Sequence, residues 1–138
     1  MSQLEDSNKA IVRRFNLGFI QGGDLDLFNE IIAPDFINHS APPGSDPGRE
    51  GARQFFAMIR GAFPDLEVTI HDQVAEGSAV VTRKSYQATH AGNFMGIAPR
   101  GRRVQFSVID IIRLRDGRYT EHWANADMFG LMAQLTSG

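Results

Sequence analysis

Apolar positions in the first half of the chain recur at a helical period. Ile11, Phe15 and Phe19 repeat every four residues with Val12 beside them, which places them on one stripe of a helix that should end at Gly22-Gly23. Asp24 is positioned to cap a second, shorter helix carrying Leu25, Phe28, Ile31 and Ile32 and stopped by Pro34. A third helix is predicted from about Arg49 to Ala62, with Ala52, Phe55, Phe56 and Ile59 inward and Phe63-Pro64 as its end.

The period then changes. Leu66, Val68 and Ile70 alternate with Glu67, Thr69 and His71, as a half-buried strand should. Further strands are expected over about Ala79–His90, Val104–Arg115 and Tyr119–Asn125. Asp116-Gly117 joins the last two, because Asp-Gly between alternating runs is a strong hairpin signal. Met128–Leu135 should close the chain as a short helix. Helices first and a strand meander afterwards predict an α+β fold, with the helices packed on one face of a curved antiparallel sheet. The Pro/Gly-rich stretch Ala41–Gly48 is too short to separate two cores, so it reads as a surface loop or lid inside one domain spanning 1–138.

The hairpin allows side chains to be assigned to faces. With a two-residue turn, Arg115 opposes Arg118, and the pairs continue through Leu114–Tyr119, Ile112–Glu121, Asp110–Trp123 and Val108–Asn125 to Phe106–Asp127. One face then carries Phe106, Val108, Asp110, Ile112, Leu114, Trp123 and Asn125, with Asp127 at its end. Its opposite carries Gln105, Ser107, Ile109, Ile111, Thr120, His122 and Ala124, and is apolar enough to suggest a symmetric dimer through it. A three-residue turn with a Gly bulge would slide the register and set His122 opposite Asp110.

A carboxylate on an apolar stripe is a candidate general acid or base, since burial without a partner costs several kcal/mol and tends to raise its pKa. Asp110 has the alternative of pairing with an arginine or histidine to hold the sheet together. Asp127 has the alternative of capping the last helix, and Trp123 that of an ordinary core or pocket wall. His39 and His90 lie at the ends of extended segments, where folds open their clefts; their alternative is a solvated loop imidazole.

Composition narrows the chemistry. The chain has 138 residues with 14 Lys+Arg against 16 Asp+Glu, and its 42% apolar content is enough for a packed core. It contains no cysteine, which excludes a disulfide framework, a thiol nucleophile and thiolate-ligated metals. The four histidines lack a metal-ligand spacing, so no metal is expected. Near-neutral charge argues against nucleic-acid binding, and Arg100, Arg102, Arg103, Arg113, Arg115 and Arg118 read as a solvated basic rim. No apolar run is long enough to cross a membrane, and Met1–Lys9 lacks the order of a signal peptide, so the cytoplasm is the expected compartment.

Several ordered pieces together carry a resemblance. Phe63-Pro64-Asp65-Leu66, Ala88-Thr89-His90 followed by Gly92-Asn93-Phe94-Met95-Gly96-Ile97, the hairpin Arg113 to Arg118, and Glu121-His122-Trp123 leading to Asp127 and Gly130-Leu131 are arranged as in the SnoaL-like polyketide cyclase, or ester cyclase, family. The resemblance implies the cone-shaped NTF2-like α+β barrel and a cofactor-free enzyme that closes a ring by intramolecular aldol condensation. It places the catalytic acid or base on Asp127, with Asp110 second, and sets His39 and His90 at positions the family fills with His. Phe15, Phe19, Asn38, Phe56, Phe106, Trp123 and Asn125 would then contact a small apolar substrate, polycyclic ones included. Ala88 and Arg100 depart from the family's usual Gly and Thr. The other reading of the same fold is a non-catalytic binding or assembly module.

Overall fold

The computed structural model describes residues 2–137. Helix α1 (Gln3–Phe15) opens with a capping box in which Ser2 and Glu5 satisfy each other's backbone amides. At Asn16 it widens into a π-helical segment, Asn16–Gln21, in place of the single regular helix that the four-residue spacing predicts. The wider turn sets Asn16, Phe19 and Ile20 all inward, and the Asn16 amide donates to the Val12 carbonyl at 2.9 Å.

Helix α2 (Leu25–Ile31) is capped by Asp24 as expected, but it buries Leu27, Phe28 and Ile31 and leaves Leu25 exposed. Ile32, expected in that helix, instead starts strand β1 (Ile32–Asn38). Pro34 does not merely stop the helix. It lies in β1, an edge strand, where a residue without an N–H is tolerated. Helix α3 (Arg49–Ala62) buries Ala52, Ile59 and Ala62, while Phe55, expected inward, is exposed.

Strands β2 (Glu67–Glu76), β3 (Ala79–Thr89), β4 (Arg103–Arg115) and β5 (Arg118–Ala126) form the antiparallel meander. The sheet order is β1-β5-β4-β3-β2, and β1 joins β5 in parallel. Helix α4 (Met128–Thr136) closes the chain. The expected α+β architecture is present, with the helices on one face of a curved five-stranded sheet. Phe15, Phe28, Ile31, Phe63, Val80 and Leu131 belong to the core between them.

The two-residue turn forms, with Asp116 and Gly117 at φ 52° and 77°, the left-handed pair a tight hairpin needs. Arg115 opposes Arg118 and Leu114 opposes Tyr119, as expected. The register then breaks: Arg113 pairs with Glu121, so Thr120 is an extra residue, with its hydroxyl donating to the Arg113 carbonyl at 3.1 Å. Beyond this bulge the expected pairing is wrong, in both versions. Ala124, not Trp123 or His122, opposes Asp110, and His122 opposes Ile112. His122 and Ala124 therefore take the inner face, while Trp123 and Asn125 take the outer one with Ile109 and Ile111.

Candidate active site

Strict alternation along β4 buries every second residue, which forces Asp110 into an inward row between Val108 and Ile112. Its neighbours follow from register. Thr82 of β3 and Ala124 of β5 lie directly opposite Asp110, so Lys84 and His122 are its diagonal neighbours, one on each side. The Lys84 ammonium donates to Asp110 Oδ2 at 2.9 Å and to Asn16 Oδ1 at 2.6 Å. Thus the π-helical turn of the first helix is what supplies the lysine with its second partner. His122 Nε2 stands 4.0 Å from Asp110 Oδ2. Asp110 Oδ1 is buried and has no hydrogen-bond partner among the described residues.

These groups form the floor of a cavity of about 510 Å³ between the sheet, α3 and the loops. Phe15, Phe56, Phe106 and Tyr119 supply aromatic walls, and Asn38 and Ser40 lie on one side. Met58, Met95 and Met128 also line it, and Phe55, Met58 and Met95 are exposed. That explains the outward turn of Phe55: it borders an opening instead of filling a core. The cavity accommodates a drug-sized apolar molecule with a few polar groups at one end.

Burial controls the electrostatics. Desolvation opposes the charge on Lys84, but attraction from the Tyr86 oxygen and the Asp110 carboxylate outweighs it and holds the ammonium above its ordinary pKa. Burial raises the Tyr86 phenol, against the pull of Lys84, and raises Tyr119 strongly, with the Asp110 charge adding to it. Both phenols therefore stay protonated. Desolvation lowers His122 to about 4, against the attraction of Asp110 and with the help of Lys84, so its imidazole is neutral at physiological pH.

Several expected site residues lie elsewhere. Asp127 is exposed and accepts the Gly130 amide at 2.9 Å as the N-cap of α4, so the cavity position expected of it is not observed. Trp123 and Asn125 are carried to the outer face by the Thr120 bulge. His39 is on that face too, stacked on Trp123 at 4.5 Å and 2.9 Å from Glu121 Oε2. His90 is fully buried against Phe63 and does not line the cavity; its Nε2 has no partner among the described residues. Phe19 packs behind the wall against Phe15, Phe28 and Phe56.

Asp110, Asn38, Phe15, Phe56 and Phe106 do border the cavity. Lys84, Tyr86, Tyr119 and His122 were not among the expected site residues. Lys84 had a visible signal, as the one cation in the row Val80, Thr82, Lys84, Tyr86, Ala88 that β3 turns inward.

The family model for SnoaL-like polyketide cyclase matches residues 10–135. Nogalonic acid methyl ester cyclase of Streptomyces nogalater is 26% identical over 118 residues, covering 82% of this chain and 86% of that protein. Among solved structures, IdmH from Streptomyces antibioticus, assigned as a polyketide cyclase, superposes with a TM-score of 0.82 at 33% identity, covering 97% of this chain and 99% of its own. A protein from Jannaschia sp. CCS1 assigned as a SnoaL-like polyketide cyclase reaches a TM-score of 0.89 at 27% identity, covering 100% and 97%.

Proposed function

The chain belongs to the SnoaL-like polyketide cyclase family, and on that premise we propose that it closes a ring in a small apolar carbonyl or ester compound by an aldol-type step, with Asp110 as the acid–base group. The observation that carries this is the Asp110 carboxylate itself. It is 5% exposed, it lines the apolar cavity, and one of its oxygens has no partner among the described residues. Lys84 takes Oδ2, which leaves Oδ1 as the oxygen open to a ligand.

The chemistry balances without any other reactant. Asp110 takes a proton from the carbon beside a carbonyl, leaving an enolate. The enolate carbon forms a bond to a second carbonyl of the same molecule, and the resulting alkoxide recovers the proton from the Asp110 carboxyl. The Lys84 ammonium and the protonated phenols of Tyr86 and Tyr119 line the same cavity and favour the negative charge that develops on the substrate oxygen as the enolate forms. The apolar walls keep water from protonating the enolate first.

The test is Asp110→Asn, which preserves shape and removes the base. Solvent deuterium exchange at the α-carbon of an aromatic β-keto ester should fall by about 100-fold or more. An unchanged rate in the variant overturns the reading. A wild-type protein that binds the ester in the cavity but exchanges nothing indicates a binding module instead.

A further inference from the structure

The hydrogen bonds around Asn38 determine which nitrogen of His122 carries the proton. The Ser40 backbone N–H donates to Asn38 Oδ1 at 3.0 Å, which fixes the oxygen end of that amide. His122 Nδ1 lies 3.2 Å from the same oxygen, so it must be an N–H donor. The surrounding backbone is tied down: the Asn38 backbone N–H donates to the Pro47 carbonyl at 2.7 Å, the His39 backbone N–H to the His122 carbonyl at 2.8 Å, and the Ala124 backbone N–H to the Ser40 hydroxyl at 2.9 Å. A neutral imidazole has one proton, and Nδ1 has it. Nε2 is therefore a bare lone pair, and it is the nitrogen turned toward Asp110.

The floor of the cavity thus presents two acceptors side by side, neither able to donate to the other. A lone pair 4.0 Å from a carboxylate oxygen is repulsive unless a donor stands between them. Both belong to the cavity lining; Lys84 already donates to Asp110 Oδ2, and Oδ1 has no partner among the described residues. One hydroxyl oxygen can stand at ordinary hydrogen-bond length from both Nε2 and the carboxylate, its single proton shared between them.

Resting on the reading of this cavity as the active site, we propose that it selects compounds carrying a hydroxyl donor on an apolar ring or enol, that this hydroxyl sits between Asp110 and His122 Nε2, and that Asn38 is the positioning residue that keeps His122 in the accepting tautomer. A substrate with only carbonyl oxygens at this end leaves three acceptors facing one another. A phenol, or the enol form of a 1,3-dicarbonyl, brings the one proton that the two acceptors can share. Selection of this kind is steep, because the wrong compound leaves buried polar groups unpaired.

Two probes of the same ring system decide the matter, 2-naphthol and its methyl ether, 2-methoxynaphthalene. They share the ring system and the oxygen and differ in whether that oxygen carries a hydrogen or a methyl group. The wild-type protein should bind 2-naphthol about tenfold or more tightly, and a ¹⁵N-labelled histidine spectrum should show His122 protonated at Nδ1 and bare at Nε2. In Asn38→Leu the proton should move to Nε2, where it can donate to Asp110, and the preference for the hydroxyl should collapse. Equal affinity for the two probes, absence of binding included, overturns the proposal. A wild-type spectrum with the proton on Nε2 overturns it as well, and needs no variant to fold. Loss of exchange in Asp110→Asn with no probe preference would leave the catalytic reading standing and remove this one.

Discussion

The sheet carries two carboxylate–imidazole pairs, one on each face, and they behave oppositely. On the outer face His39 Nε2 is 2.9 Å from Glu121, and both side chains are more than one-third exposed. On the inner face His122 is 4.0 Å from Asp110, with side-chain exposures of 20% and 6%. The closer pair is the weaker one chemically, because water screens it and an exposed pair of this kind contributes ~1 kcal/mol at most. The more distant pair includes an imidazole whose pKa falls to about 4. Burial rather than contact distance separates the two pairs, and for Glu121 and His122 it follows from the face to which the Thr120 bulge assigns each.

The sharpest way to break the contrast is to remove the cation that makes the inner side tenable. Lys84→Met leaves Asp110 buried with no counter-charge, so the loss of stability should be about 3–5 kcal/mol. Replacing both, Lys84→Met with Asp110→Leu, should recover most of it, since neither charge then needs solvation. Chemical denaturation of the three proteins at neutral pH checks this. A single variant that loses less than ~1 kcal/mol would mean that the pair is solvated after all.

A somewhat smaller effect should appear with pH. The folded-state pKa of His122 lies below its unfolded value, so the folded protein binds fewer protons between about pH 6.5 and 4. The stability associated with the neutral imidazole is complete above pH 6.5 and is lost as pH falls toward about 4. The loss amounts to roughly 3 kcal/mol, and His122→Phe should not show it. Urea unfolding of the two proteins across this range should give diverging curves. Parallel curves would place His122 in water, with His39.

This contrast also explains what could be read from the sequence and what could not. Alternation along β4 identified Asp110 as an inward carboxylate, and Asp116-Gly117 identified the turn, because both signals are local. The face of β5 was misread because Tyr119, Glu121 and Trp123 share a parity that looks like one stripe. The Thr120 bulge splits them, and nothing local demands it. There is a second cause. Beyond the bulge the inward positions of β5 are His122, Ala124 and Ala126, small or polar residues that border a hollow. A strand lining a cavity does not carry the apolar signature of one that packs a solid core, so periodicity assigned the wrong side to the interior. Asp127 was drawn toward the site by its spacing from Glu121-His122-Trp123, although its capping pattern, equally visible, is the role it fills.

The smallest predicted effect tests whether the two faces are insulated from each other. His39 and His122 are tied through the backbone, His39 N–H to His122 carbonyl at 2.8 Å, and Glu121 precedes His122 in the strand. If reactivity depended on the contacts along β5, disturbing the outer pair would reach the inner one. If it depends on burial, Glu121→Gln should cost less than ~1 kcal/mol. It should also leave the ¹⁵N signals of His122 and the affinity for 2-naphthol where they were, since Asn38, Ser40 and Asp110 are untouched. The stack of His39 on Trp123, with ring centroids 4.5 Å apart, keeps the outer imidazole in place without its carboxylate. A change in the inner tautomer on removing an exposed charge would mean that strand geometry, and not exclusion of water, governs the chemistry of both faces.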